Sequence, residues 1–470
     1  MAEPKKVDIA DIVDSQTNRF FTGSTFFLCC LVLMVDGFDN QAINYTSAAI
    51  LRDWEMDRVL FTPIFWANVL GWMTGSLTFS MIADKIGRRN AIILATVLFS
   101  GFTYAMSFST GLLDLGFYKF CASLGVGGAM PMAIALIADY THSKWRGFFV
   151  TGLFIGYSVG TVGGGFLAAE MILTAGWEAI FRVGGIVGLA VAGILVFTLP
   201  ESVRYLLVQG APQKKIHGYV QRMKPHYEIE PGTEFYIREQ KKQKGVPIGY
   251  LFKDGRAAMT FLLWFALGFS FVTHFFISNW LPILLSDYMP LDDVNRVKAM
   301  FQAGAFFGFV FGLLIDRFGI PVVTVTKLVG VIPVILIGVA LVGGANYWVL
   351  IAASLAAGLC VLGGTIGLNA ISSMIYPTFI RSTGSGAAFA AARIGALCGP
   401  GLGALLIALE VPVLWMFVIG SIPMALSGLC ALGLSMTVDV LHPRKTPHAE
   451  PAKAQDADAA IEAGQVPARS

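Results

Sequence analysis

Twelve apolar runs separated by polar connections constrain this chain more than any other feature. They lie at about 21–47, 60–83, 91–110, 113–138, 148–172, 178–199, 258–285, 297–315, 322–342, 347–375, 384–408 and 412–437. A bilayer core of about 30 Å takes roughly 20 apolar residues per helix, so each run is expected to cross a membrane. Composition agrees: 56% of residues are apolar, only 13% are charged, and mean hydropathy is +0.69. Soluble domains carry about a quarter charged residues, so a soluble enzyme is excluded as the main body. Disorder is excluded too, because it requires low hydrophobicity. A net charge of +3 gives no basis for a nucleic-acid partner. The six cysteines (29, 30, 121, 360, 398 and 430) all lie in apolar runs without CxxC spacing, so neither a metal nor a cofactor is expected.

The placement of Lys and Arg sets the expected orientation. Lys85, Arg88, Arg89, Lys144 and Arg146 lie in one set of loops, and the long connection after run six adds eleven more basic residues from Arg204 to Arg256. The opposite set mixes Arg52, Arg58, Arg296 and Lys298 with Asp53, Glu55, Asp57, Asp292 and Asp293. The basic set is expected to face the cytoplasm, with both termini there and no cleavable signal at the start. The division is then a cytoplasmic segment 1–19, a six-helix bundle 20–199, a cytoplasmic central loop 200–256, a second six-helix bundle 257–437, and a disordered tail 438–470.

The halves echo one another. Asp84-Lys-Ile-Gly-Arg-Arg89 follows run two, and Asp316-Arg-Phe-Gly-Ile-Pro321 follows run eight. Arg146 and Gly160 recur as Arg381 and Gly395, each 235 positions later. A duplicated unit of this kind builds a central site between two bundles related by a pseudo-two-fold axis. The sequence holds no GxxxxGK[ST] phosphate loop, so movement of a solute would be driven by a gradient or be passive.

The residues around the second run, Gly75, Ala83, Asp84, Gly87, Arg88 and Arg89, resemble the loop signature of the major facilitator superfamily. Pro200-Glu-Ser-Val-Arg-Tyr-Leu206 resembles the end of span six in its sugar-porter-like branches. A closer resemblance is to the aromatic acid:proton symporter family. Its DGxD motif is similar to Asp36-Gly-Phe-Asp39, and its span four to the run Lys119–Pro131. Gly367-Leu-Asn-Ala370, Tyr376-Pro-Thr378, Arg381-Ser-Thr-Gly384, Ala392-Arg-Ile-Gly395 and Gly399-Pro400 resemble its spans ten and eleven. Three departures stand out: Lys119 replaces the usual Arg, Ser123 the usual Gly, and Lys85 a common Arg. The resemblance implies an all-α membrane protein with twelve transmembrane helices in the major facilitator fold. It also implies a multi-pass inner-membrane importer that carries a small aromatic carboxylate with protons by alternating access and acts as a monomer in the lipid bilayer. The alternatives are an exporter or antiporter of aromatic compounds, a symporter of non-aromatic organic acids, and a non-transporting sensor.

Ionisable residues inside a membrane mark function by default. Asp36 and Asp39 are three apart, hence on one helix face, and a close carboxylate pair suits a proton carrier. Lys119 and Arg393 are cations, one in each half, suited to an anionic cargo, with Arg393 favoured as its ligand. His274, Asn279, Trp280 and Asn369 are further candidates to bind substrate; His274 falls 235 positions after Asp39 and could equally relay a proton. The resemblance implies a cytoplasmic gate built from Asp84, Arg88, Asp139, Arg146, Glu201, Arg204, Asp316, Arg317 and Arg381, whose pairs join the bundles and break on opening. Span five is rich in glycine, but Thr161 stands where drug-exporting antiporters carry Pro.

Overall fold

In a computed structural model, residues 6–227, 229, 233–237, 247–252, 256–344, 346–376 and 380–441 are described, except the side chains of 247, 248, 309, 310, 312, 313, 316, 373, 381, 382 and 439–441. Residues 442–470, most of the expected tail, and the Pro-Thr of the Tyr376 motif therefore lie outside the described residues, as do the side chains of Asp316 and Arg381.

Among the described residues, ten helices have the length and hydropathy to span a bilayer: Arg19–Asp53, Arg88–Met106, Leu112–Tyr140, Arg146–Ala175, Glu178–Thr198, Ala257–Leu285, Pro321–Val342, Tyr347–Ser372, Thr383–Ala408 and Val413–Val438. Spans two and eight complete the twelve but are less apolar. Span two is one helix, Thr62–Ile86, carrying Asn68, Thr74, Ser76, Thr78 and Ser80. Span eight starts earlier than its apolar pattern suggests. It runs Leu291–Ala303, tightens to a 3-10 turn over Gly304–Phe307, and resumes at Gly308–Phe318. Asp292 and Asp293 occupy its first turn, where a helix N-terminus favours negative charge. Span ten holds a π-turn at Leu359–Gly363, a feature common at functional sites.

Spans one to six pack on one another, as do seven to twelve. The two groups meet where span one touches seven, span two touches eleven and span five touches eight. The 235-residue offset has a structural counterpart. Gly160 on span five packs so tightly on span one that an added Cβ would overlap the Met34 carbonyl. Its partner Gly395, on span eleven, packs on span seven in the same way, against the Gly268 carbonyl. Small residues at such seams let helix backbones approach where lipid supplies no hydrophobic drive.

The first residues and the central connection fold together. Strand Lys6–Asp8 pairs in parallel with Glu234–Tyr236. Ile9, Ile12 and Val13 on helix Ile9–Asp14 share a buried cluster with Ile216, Val220 and Met223 of helix Gln213–Met223. Gln16 donates to the Tyr140 carbonyl at 2.8 Å, and Asn18 to that of Arg222 at 2.8 Å. A small cap thus sits on the first bundle, on the face where span one begins (the terminus face).

Candidate functional site

Span one brings Asp36 and Asp39 into the interior one turn apart, 2% and 1% exposed. Lys119 on span four is wholly buried; its Nζ donates to the Asp39 main-chain oxygen at 3.0 Å and lies 3.4 Å from Asp39 Oδ2. The Thr103 hydroxyl of span three donates to Asp39 Oδ1. Asp39 is therefore held from two sides, whereas the Asp36 carboxylate makes no hydrogen bond among the described residues, with Asp39 and Lys119 as its charged neighbours. A neutral chain runs beside them. Ser123 donates to Asn68 Oδ1 at 2.7 Å, Asn68 to Asn40 Oδ1 at 3.4 Å, and Asn40 to the Tyr157 hydroxyl at 2.8 Å.

Span two carries this polarity across to the second bundle. Asn68, Trp72 and Ser76 are four residues apart and so share one face. Arg393 Nη1 donates to Ser76 Oγ at 2.6 Å, and its guanidinium lies 5.3 Å from the Trp72 ring centroid. Trp66 Nε1 also crosses, to the Leu397 carbonyl at 3.0 Å. The four charges expected to meet thus resolve into a triad, Asp36–Asp39–Lys119, and a separate cation that faces it along span two.

His274 is half-buried on span seven, 5.0 Å from the Phe275 ring and 6.1 Å from Phe271. Asn279 is buried, and so is Asn44, its counterpart at the 235 offset. Asn369 Oδ1 is buried without a partner among the described residues. Trp280 is wholly buried; its Nε1 donates to the Pro400 carbonyl at 3.0 Å, and its ring meets Phe65 at 5.6 Å. These contacts make it a packing post between spans two, seven and eleven.

On the terminus face, the expected gate residues knot together inside the first bundle. Arg88 pairs with Asp139 and donates to Ser202 Oγ at 2.8 Å; Ser202 Oγ donates to Asp139 Oδ2 at 2.5 Å. Arg204 Nε lies 3.6 Å from Asp139 Oδ1. Glu201 Oε1 accepts from the main-chain N–H of Arg89 at 3.0 Å and of Ser202 at 2.8 Å. Asp84 is exposed, and among the described residues it contributes only its main-chain oxygen, to Gln209 at 3.1 Å. Arg146 starts span five with its Nε buried and without a partner among the described residues. The exposed Arg317 lies over Phe318 at 5.3 Å. Among the described side chains, no ion pair joins the bundles here, because the ends of spans two, four and six converge and satisfy one another first.

The opposite, far face does carry such pairs, and sequence reasoning missed them. Arg58 holds Asp287 in a two-pronged contact at 2.7 and 2.5 Å. Arg52 donates to the Ser286 carbonyl, and Arg296 pairs with Glu170 at 2.9 Å. All three link the first bundle to the second.

Two interior lysines were missed as well. Lys298 looks like a loop residue beside Asp292, Asp293 and Arg296. Yet Leu291, Val294, Asn295, Lys298 and Gln302 share a helix face, and that face is buried. Lys327 is also wholly buried, donating to Ser270 Oγ at 2.6 Å, the Val361 carbonyl at 2.9 Å and Thr365 Oγ1 at 3.0 Å. The signal was available as a lone Lys inside the apolar stretch Val322–Val331. Among the described residues, no group of three His, Cys, Asp or Glu could hold a metal.

Residues 29–319 and 297–466 match the Major Facilitator Superfamily. The chain is 30% identical to the 4-hydroxybenzoate transporter PcaK of Pseudomonas putida, over 86% of this chain and 90% of that protein. It is 27% identical to a gallate transporter of the same species, covering 91% and 94%, and 28% identical to the benzoate transport protein of Acinetobacter baylyi, covering 95% of each. Among solved structures, a bacterial homologue of the human lysosomal transporter Spinster superposes with a TM-score of 0.68 at 14% identity, over 92% of this chain and 100% of that one. A D-xylose–proton symporter gives 0.64 at 16% identity, over 87% and 97%.

Proposed function

The chain belongs to the Major Facilitator Superfamily, and we propose that it imports a small aromatic carboxylate of the hydroxybenzoate type together with protons. Membership makes it a membrane transporter and not an enzyme. The observation that carries the proposal is the interior triad: two buried carboxylates share one lysine, and one of them, Asp36, has no hydrogen-bond partner among the described residues. A buried charge without a partner is costly. A proton on the pair balances the triad, and its loss to the other side of the membrane couples proton flow to rocking of the bundles. Arg393 supplies the anion ligand. Among the described residues its side chain bonds only a neutral hydroxyl and lies over an indole ring, so a carboxylate with an aromatic ring finds both its partners there. The names of the related transporters support the same class of cargo.

An anion entering against an inside-negative potential costs about 2.3 kcal/mol per 100 mV. One co-transported proton cancels that cost, and a second turns the potential into a driving force. The protein is placed in the inner membrane with its terminus face toward the cytoplasm, in line with the Lys and Arg of that face. The cross-bundle pairs on the far face, and their absence among the described side chains on the terminus face, support a state closed to the outside.

Asp36→Asn is the test. In vesicles, accumulation of 4-hydroxybenzoate against its gradient should be abolished, while exchange of labelled for unlabelled substrate continues. Normal uphill uptake by that variant would refute proton coupling through Asp36.

A further inference from the structure

Lys298 is a buried amine with no carboxylate beside it among the described residues. It is wholly buried, and its Nζ donates to two neutral acceptors on span seven, the carbonyl and the hydroxyl of Ser278, both at 2.7 Å. The Phe301 ring lies 5.2 Å away. No carboxylate pairs with it among the described residues, although a buried charge is stable only with a compensating partner. The polar groups around it are also incompletely used. Asn295, one turn away on the same helix face, is wholly buried with neither its Oδ1 nor its Nδ2 bonded. Asn44 Oδ1, on span one, is likewise buried and unbonded.

The cluster straddles the line along which the bundles meet. Gln41 of span one accepts from Ser278 Oγ at 3.3 Å and from Asn44 at 2.9 Å, while Gln302 donates to the same Ser278 hydroxyl at 3.2 Å. The far-face links of Arg58, Arg52 and Arg296 close over this level. Both of Lys298's own hydrogen bonds stay inside the second bundle. Parting the bundles at the far face therefore breaks the Gln41–Ser278 bond, removes span one as a cover and leaves the ammonium facing the opening.

We propose that Lys298 is the capture site for the substrate's carboxylate in the state open to the far face, with Gln302 beside it and the amides of Gln41 and Asn44 receiving polar groups of the same ligand across the opening. This deepens the aromatic-acid reading and rests on it. The ligand's carboxylate replaces the Ser278 hydroxyl as the partner of Nζ. Lys298 lies seven residues into its helix, about 10 Å from the far-face end at 1.5 Å per residue, and Arg393 lies twelve residues, about 18 Å, from the opposite end of span eleven. Two cations at two depths give the anion a partner in each of the two open states.

The test uses the full chain with its six cysteines replaced, reconstituted and assayed with 4-hydroxybenzoate from each face. Lys298→Cys should raise KM at the far face at least tenfold and leave KM at the terminus face within twofold. Aminoethyl methanethiosulfonate, which rebuilds a cation at that position, should restore far-face uptake, whereas the methyl reagent should not. Gln41→Leu keeps every buried charge and serves as the second variant should Lys298→Cys fail to insert; it should raise far-face KM several-fold on that face alone. Equal changes at both faces, no change at either, or equal rescue by both reagents overturns the proposal. Failure of the unmodified protein to carry any aromatic acid would sink the cargo reading, and this proposal with it; uptake by the unmodified protein with a normal Lys298→Cys would sink this proposal alone.

Discussion

Reversing one charge at the far face should shift the balance between the two open states. Asp287 accepts both prongs of Arg58 at 2.7 and 2.5 Å, the side chains being 42% and 38% exposed. An ion pair this exposed contributes about 0.5–1 kcal/mol, with the two-pronged geometry toward the upper end. Asp287→Arg removes that and adds repulsion of similar size, about 1–2 kcal/mol in total, or a 5–30-fold shift toward the far-open state. A reporter is available at Ala299, which is wholly buried on span eight and would collide with any Cβ added to Gly165 on span five. In a cysteine-free background with Ala299→Cys, a membrane-impermeant thiol reagent applied from the far face should react 5–30 times faster once Asp287→Arg is added. Adding Arg58→Asp should return most of the protection by re-forming the pair in reverse. Salt provides a second check, because exposed charges are screened within about 10 Å at 0.1 M. Raising salt should speed labelling of the parent and slow that of Asp287→Arg, so the two converge. A rate within twofold of the parent, or a double reversal as fast as the single one, would refute the claim that this pair holds the far face shut.

Three further outcomes follow from the same geometry. Lys119→Met leaves Asp39 buried beside Asp36 without its cation and should cost about 3–5 kcal/mol against SDS-induced unfolding; adding Asp39→Asn should recover most of the loss, and equal stability of all three forms would remove Lys119 from the triad. Gly160→Leu drives a side chain into the Met34 carbonyl and should cost at least about 1–3 kcal/mol or prevent insertion, whereas Gly163→Ala meets nothing within 4 Å and should leave the yield of folded protein unchanged. Asp14 tethers the cap. Partial burial opposes its ionisation, but hydrogen bonds from Ser143 N at 2.8 Å and Oγ at 3.0 Å, with His142 and Arg146 nearby, hold its carboxyl below the ordinary carboxylate value. A depressed value means the tether is intact above about pH 4 and is lost as pH falls through the folded value; it is worth under about 1 kcal/mol at this exposure. Protection of residues 6–18 against hydrogen exchange, taken relative to the intrinsic amide rate at each pH, should fall on acidification in the parent, and at neutral pH in Asp14→Ala.

Reading the chain alone recovered the features that repeat or stand out chemically. Helix periodicity put Asp36 and Asp39 on one face, and the offset linking Gly160 to Gly395 anticipated two matching seams. Charge was harder to place. Lys298 has acids within six residues and so reads as a loop, but a helix started by Leu291 turns it inward while Arg296, two residues earlier, points out to Glu170. Local composition cannot show that rotation; the helix start fixes it. The gate was expected where basic residues are dense. Dense charge there is satisfied within one bundle, by Asp139, Ser202 and Glu201, whereas on the far face Arg52, Arg58 and Arg296 reach the other bundle, Arg296 while also pairing with Asp292 and Asp293 on its own helix. Which bundle a charge meets depends on how helix ends converge, and that is set by tertiary packing. The cap was missed for a similar reason: a three-residue strand such as Lys6–Asp8 carries too little pattern until Glu234–Tyr236 is beside it.

The two bundles carry opposite deficits. The first buries two carboxylates against one ammonium. The second holds Lys298, Lys327 and Arg393 inside, with only neutral oxygens and aromatic rings as partners among the described residues. On the function proposed above, a proton supplies the positive charge that one side lacks, and a carboxylate the negative charge that the other lacks. Among the described residues no ion pair joins the triad to these cations, and Arg393 bonds Ser76 of span two instead. In the proposed symport, an acid that arrives with its proton answers both at once, and when the proton leaves the first bundle the reason to stay closed around the anion leaves with it. Coupling on this account requires no direct contact between proton site and anion site, only that both lie on the surface along which the bundles separate.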